Sequence, residues 1–131
     1  MTKPVLKRED IVYPELSYQI TGILFDVYNK IGYGLSEKTY QKAIALALKN
    51  SSLDFREQVC VPVIYNGQVI GKNFLDFLIE DKVILEIKKG DRFAKAHIDQ
   101  VLQYLHANKL RLGILAYFAP RKLHFKRLVN L

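Results

Sequence analysis

The chain has 131 residues, half of them hydrophobic and a quarter charged, and 20 Lys and Arg against 13 Asp and Glu give it a formal net charge of +7. That length suits one globular domain able to bury a core without cross-links, and the single cysteine, Cys60, excludes an intrachain disulfide and points to a reducing compartment. Surplus positive charge favours a polyanionic partner, nucleic acid above all, while no apolar run approaches the ~20 residues of a membrane span and Met1-Thr2-Lys3-Pro4 opens no signal-peptide core, so a cytoplasmic protein without membrane contact is expected.

Residues 1–12 are polar and aperiodic and read as a loose N-terminal arm, leaving 13–131 as one domain. Pro14 opens a helix whose stripe of Leu16, Ile20, Ile23, Leu24, Val27 and Ile31 steps by three and four residues and ends at Gly32 and Gly34. Ser36 caps a second helix reaching Asn50, with Tyr40, Ile44, Ala47 and Leu48 inward. The pattern then turns to strands. Val59, Val61, Val63 and Tyr65 alternate with other residues, and Cys60 among them reads as a small buried side chain. Asn66-Gly67 predicts a two-residue hairpin turn, since both of its positions need positive φ. Gln68 to Ile79 returns, with an interruption expected near Gly71. Lys82 to Lys88 forms a third strand ending at Gly90-Asp91. A third helix covers about Ala94 to Asn108, and two short strands, about Arg111 to Phe118 and Leu123 to Leu128, close the chain around Pro120. The order α-α-β-β-β-α-β-β predicts an α/β (α+β) architecture: a central mixed sheet of four or five strands flanked by three helices.

Chemistry concentrates between Phe74 and Lys88. Side chains alternate along a strand, so Leu75, Phe77 and Ile79 share an apolar face with Val83, Leu85 and Ile87, while Asp76, Glu86 and Lys88 interrupt the opposite one. Charge in strands that otherwise read as buried is costly unless it is paired or bound to a metal. Asp76 lies across from Glu86 only if Glu80-Asp81-Lys82 makes a three-residue turn; a two-residue turn would set Asp76 against Leu85. Two neighbouring carboxylates make a hard-oxygen site suited to Mg²⁺ or Mn²⁺. Such an ion polarises a phosphodiester and acidifies its bound water, and a lysine beside it can orient that water or meet the developing charge. An isolated Glu-x-Lys in a strand is more simply an ion pair, so the flanking residues matter. His97, Gln100 and Tyr104 fall on one stripe of the third helix and could border the cluster with hydrogen-bond donors, or form an ordinary polar shoulder. Glu37 lies on the same side of the second helix as Tyr40 and Ile44; it either serves the helix dipole or supplies a third carboxylate.

Gly34-Leu35-Ser36-Glu37-Lys38-Thr39-Tyr40 matches a GxxExxY signature, and with Tyr65-Asn66-Gly67, Asp76-Phe77, Glu86-Ile87-Lys88 and Gln100-Val101-Leu102-Gln103-Tyr104-Leu105 the chain resembles the GxxExxY family from about Pro14 to Arg127. That family is placed in the PD-(D/E)XK nuclease superfamily, beside recombination-type exonucleases that share a Q-xxx-Y helix motif. The resemblance implies a restriction-endonuclease-like core. It implies Asp76, Glu86 and the backbone carbonyl of Ile87 as ligands of Mg²⁺ or Mn²⁺, Lys88 as the catalytic lysine, and Glu37 as the helix glutamate assisting the metal or its water shell. Gln100 and Tyr104 would support the site and touch DNA, with His97 beside them as a substrate-binding residue. Gly32-Tyr33-Gly34 departs from the family's frequent Gly-Pro-Gly, Leu75 stands where alanine is common, and Lys89-Gly90-Asp91 replaces a small-residue turn. None of these is an implied ligand. The expected activity is hydrolysis of phosphodiesters in DNA, with RNA as the other substrate, and specificity drawn from a homodimer or a protein partner. The alternatives are a non-catalytic nucleic-acid-binding module that keeps the fold and a regulatory subunit whose carboxylates only balance lysines.

Overall fold

The chain is described here from a computed structural model covering residues 12–90 and 92–131. Helices α1 (Pro14–Ile31) and α2 (Glu37–Asn50) come first, followed by the meander of strands β1 (Phe55–Tyr65), β2 (Gln68–Ile79) and β3 (Val83–Lys89). Helix α3 (Lys95–Ala107) then leads to β4 (Leu112–Phe118) and β5 (Leu123–Val129). The five strands form one sheet in the order β1-β2-β3-β4-β5. Only β3 and β4 run parallel, and the α3 crossover between them supplies the length such a connection needs. The mixed sheet and three helices agree with the architecture read from the sequence. The N-terminal arm assigned to residues 1–12 lies outside the described residues except for Val12, which is buried and whose carbonyl accepts a bond from Arg127 at 2.7 Å.

Local chemistry places the ends. Ser36 Oγ accepts the Thr39 N–H at 3.2 Å and caps α2. Asn66 and Gly67 both adopt positive φ, as their two-residue turn requires. α1 ends at Gly32, whose φ of 70° and bond to the Tyr28 carbonyl close the helix. Its buried stripe is Ser17, Ile20, Leu24 and Val27; Ile31, expected in that stripe, is exposed at the last turn.

The sheet separates two cores. On one face α1 and α2 pack over Phe77, Ile79, Val83, Leu85 and Ile87 together with Ile114, Ala116 and Phe118. On the other, α3 packs over Leu78, Ile84, Leu115 and Tyr117 through Val101, Tyr104 and Leu105. Leu75 corrects the simple alternation. It was expected beside Phe77, but it belongs to the α3-side core with Leu78. The slip coincides with Gln58, which stands across from Asp76 in the β1–β2 register and adopts φ 52°. A left-handed residue in a strand turns the pleat locally, so the face changes there. The register shift between Val63 and Ile64 is the irregularity expected near Gly71. Cys60 is also corrected: it is exposed near the β1 edge rather than buried. The outer half of the β1–β2 hairpin shows more apolar surface than its alternation suggested, with Ile64, Tyr65, Val69 and Ile70 all exposed.

Candidate active site

The β2–β3 hairpin pairs Phe77 with Leu85, Leu78 with Ile84 and Ile79 with Val83, so its turn is the three residues Glu80, Asp81 and Lys82. Glu80 and Asp81 take positive φ to close it, and the Lys82 N–H reaches the Ile79 carbonyl at 3.0 Å. The same register carried one step further sets Asp76 across from Glu86, the arrangement on which the site depends.

Backbone pairing stops at that step and side chains take over. The Asp76 N–H donates to Glu86 Oε1 at 3.3 Å, and the Ile87 N–H donates to Asp76 Oδ2 at 2.7 Å. Each carboxylate therefore ties down the opposing strand where the ladder opens, which satisfies amides that would otherwise be orphaned. Both acids are buried, Asp76 to 6% and Glu86 to 2% exposure. Gln41 of α2 completes the lock, its Nε2 donating to Asp76 Oδ1 at 2.8 Å.

Two carboxyls held together out of water cannot both ionise freely. Burial first, then a hydrogen bond with Asp76 and the charge of Asp76, push Glu86 up to about 9; Lys88 pulls against this. Without a cation Glu86 keeps its proton near neutral pH. Lys88 is half-buried two residues on and pairs in register with Tyr117 of β4.

The other predicted residues divide. His97 lies close enough to Lys88 and Glu37 to feel both charges, so the start of α2, the end of β3 and the start of α3 converge. Burial lowers the His97 pKa first and Lys88 adds to that, against Glu37. One of its ring nitrogens, Nδ1, bonds the Tyr117 hydroxyl at 2.7 Å, which also accepts the Ala94 N–H at 3.3 Å. Glu37 is half-buried at the start of α2, and among the described residues no group of three His, Cys, Asp or Glu side chains is gathered closely enough to hold a metal ion. Gln100 is half-buried on α3, and Tyr104 is buried in the α3-side core. Neither hydrogen-bonds Asp76, Glu86 or Lys88 among the described residues, and Tyr104 instead lines a cavity of about 320 Å³ with Cys60, Val61 and Pro62 of β1. Sequence reasoning missed Gln41 and Tyr117. Gln41 had a signal, one turn after Glu37 on the same stripe of α2. Tyr117 had none, because a tyrosine in an apolar strand reads as core.

A family model of the PD-(D/E)XK nuclease superfamily matches residues 14–128. The chain belongs to that superfamily. PD-(D/E)XK nucleases generally use divalent metal ions, and the site fits one: two buried carboxylates pressed together until one holds a proton form a donor set of hard oxygens that a cation would relieve. The crystal structure of SSO0001 is similar to this PD-(D/E)XK chain in fold, with a TM-score of 0.50 and 22% identity over 94% of the present chain. The present chain spans 60% of that one's length. No curated protein matches.

Proposed function

We propose that this chain is a metal-dependent nuclease of the GxxExxY group that hydrolyses phosphodiester bonds of DNA, with RNA as the other substrate. The observation that carries the reading is the interlocked pair of buried carboxylates, Asp76 and Glu86, with Lys88 one pleat repeat beyond. The Gly34–Glu37–Tyr40 signature supports the narrower group. Asp76, Glu86 and the Ile87 carbonyl would hold Mg²⁺ or Mn²⁺, and Glu37 would act on the ion's water shell. Such an ion supplies Lewis-acid charge and a more acidic water.

The protein's own residues prepare that chemistry. Gln41 and the Ile87 N–H fix both oxygens of Asp76, so its orientation is set before substrate arrives. Burial keeps the local dielectric low and strengthens the pull of Lys88 on a phosphate oxygen. His97, whose pKa burial and then Lys88 lower against Glu37, can donate or accept a hydrogen bond at the border of the site. Gln100 and Tyr104 serve as support for α3 and as contacts for the nucleic acid. Recognition beyond the site would come from a second copy or a partner protein, for which the exposed apolar outer half of the β1–β2 hairpin offers a surface. The single cysteine supports a cytoplasmic setting.

Incubation with single- and double-stranded DNA in Mn²⁺ tests the reading. Wild type should cleave; Glu86→Ala should abolish cleavage; Lys88→Ala should lower it roughly 10²–10³-fold, the usual effect of removing one group that stabilises transition-state charge. Cleavage that survives both substitutions would sink the mechanism. The rival is a non-catalytic binding module that keeps the fold. That rival requires tight nucleic-acid binding indifferent to Mn²⁺ and no rise in melting temperature when Mn²⁺ is added.

A further inference from the structure

One exposed aromatic, next to the end of β3, has no part in the core. Tyr33 sits in the loop between α1 and α2 at 42% exposure, and the Lys89 ammonium lies 5.5 Å from its ring centroid. The mounting beneath is rigid. Gly32 and Gly34 on either side take φ of 70° and 106° and set a defined loop shape. The hydroxyl of Tyr40, whose side chain is fully buried, donates to the Gly32 carbonyl at 2.6 Å and accepts the Leu35 N–H at 3.4 Å. The Tyr40 ring stacks on Phe118 with centroids 4.2 Å apart and planes 8° from parallel. Lys89 rests on the same support, since it pairs in register with Phe118 and the following Gly90 N–H donates to the Phe118 carbonyl at 3.1 Å. Tyr33 leads within four residues to Glu37, and Lys89 follows Lys88 directly. An exposed ring and an exposed ammonium are thus held together at the end of β3, one residue beyond Lys88 in sequence.

We infer that Tyr33 and Lys89 form a stacking shelf for an unpaired nucleobase and its adjoining phosphate, which makes single-stranded nucleic acid the substrate class. The inference rests on the nuclease reading of the neighbouring carboxylates. An aromatic face stacks on any base, so it holds a strand without reading sequence, and the lysine that covers the ring is placed to take the phosphate when a base replaces it. A duplex keeps its bases stacked on one another and offers the ring nothing to stack on unless a base is extruded or an end frays. A duplex therefore gains only the phosphate contact.

The test is fluorescence anisotropy of the full chain in EDTA, where binding is read apart from cleavage. The probes are a labelled single-stranded DNA, an RNA of the same sequence and the blunt DNA duplex. Tyr33→Ala should weaken binding of single strands about 5- to 150-fold, the range of one lost base–aromatic stack, and leave the duplex within about twofold. Tyr33→Trp should bind single strands at least as tightly as wild type, since the ring and not the hydroxyl is what stacks. Lys89→Ala should weaken all probes alike and reduce the salt slope by about one. Comparison of the DNA and RNA single strands shows which sugar the shelf prefers. Equal loss on single strand and duplex for Tyr33→Ala, no loss on either, or a wild type that binds no single strand would each overturn the shelf. Melting temperatures should match wild type, because Tyr33 lies outside both cores. Cleavage in Mn²⁺ by wild type against Glu86→Gln separates the two proposals: the shelf can fail while cleavage stands, and it can hold in a protein that does not cleave.

Discussion

Glu86 is the residue on which the site's electrostatics turn. Its folded pKa of about 9 lies above the ordinary 4.5, so the folded state holds its proton more tightly than the unfolded chain. That contribution to stability is complete below about 4.5 and is lost as pH rises towards 9. Metal-free protein should lose melting temperature across this window, and Glu86→Gln, which cannot ionise, should flatten the loss. At pH 8 to 9 the variant should be the more stable protein without metal, yet gain nothing from Mn²⁺. A variant that tracks wild type at every pH would show that Glu86 is not the titrating group. Binding of Mn²⁺ must also displace the Glu86 proton, so its affinity should climb with pH until about 9, with proton release visible by calorimetry in buffers of different ionisation enthalpy. Gln41 acts one step removed, through Asp76 Oδ1. Gln41→Ala should weaken Mn²⁺ binding by about 10- to 100-fold, as loss of a group orienting a ligand does, with little change in melting temperature. Gln41→Glu should lower the melting temperature of the metal-free protein, since it sets another carboxylate against Asp76.

At the level of elements the site depends on where β2 and β3 part. Three pairs hold them from Ile79–Val83 to Phe77–Leu85, and beyond that the carboxylates replace the ladder. On the other side of Asp76 the left-handed Gln58 interrupts the β1 pairing too. Asp76 therefore sits in a gap in both ladders, free to present its side chain to α2. α3 is placed by a different constraint. A Cβ on Gly113 of β4 would stand 2.6 Å from Val101 Cγ1 and 3.4 Å from Leu105 Cδ1, so the helix lies too close for any side chain at that position. Gly113→Ala should cost about 1–3 kcal/mol through overpacking, read as a shift in the denaturation midpoint. Val101→Ala combined with it should recover part of the loss, since the second change removes the clashing methyl. Additive destabilisation in the double variant would mean that the two residues do not meet.

For the whole molecule, the net charge of +7 sets long-range attraction rather than chemistry. Plotted as log affinity against log salt, nucleic-acid binding should fall linearly, with a slope set by the number of phosphates neutralised. Removing a surface lysine far from the site, such as Lys49 at the end of α2, should leave that slope almost unchanged. A slope near zero would remove the electrostatic argument for a polyanionic partner. Among the described residues no helix is long and apolar enough to cross a membrane.

Much of this protein was legible before folding because local chemistry decides it. Pro14, Ser36 and Asn66-Gly67 mark boundaries through backbone conformations that the residue types themselves prefer. Strand alternation, with the length of the Glu80–Lys82 turn, was enough to bring Asp76 opposite Glu86. Alternation failed at Leu75 and the apolar run misled at Cys60, because a left-handed Gln58 and an uncovered sheet edge are products of packing and leave no mark in the pattern. The contacts by which Gln41 and His97 act came from tertiary structure. Gln41 meets Asp76 across 35 positions of sequence and His97 meets Tyr117 across 20, and no rule of spacing reaches that far. The sequence by itself determined which acids and which lysine could make a site. The packing of α2 and α3 on opposite faces decided how deeply those acids are buried and which neighbours hold them.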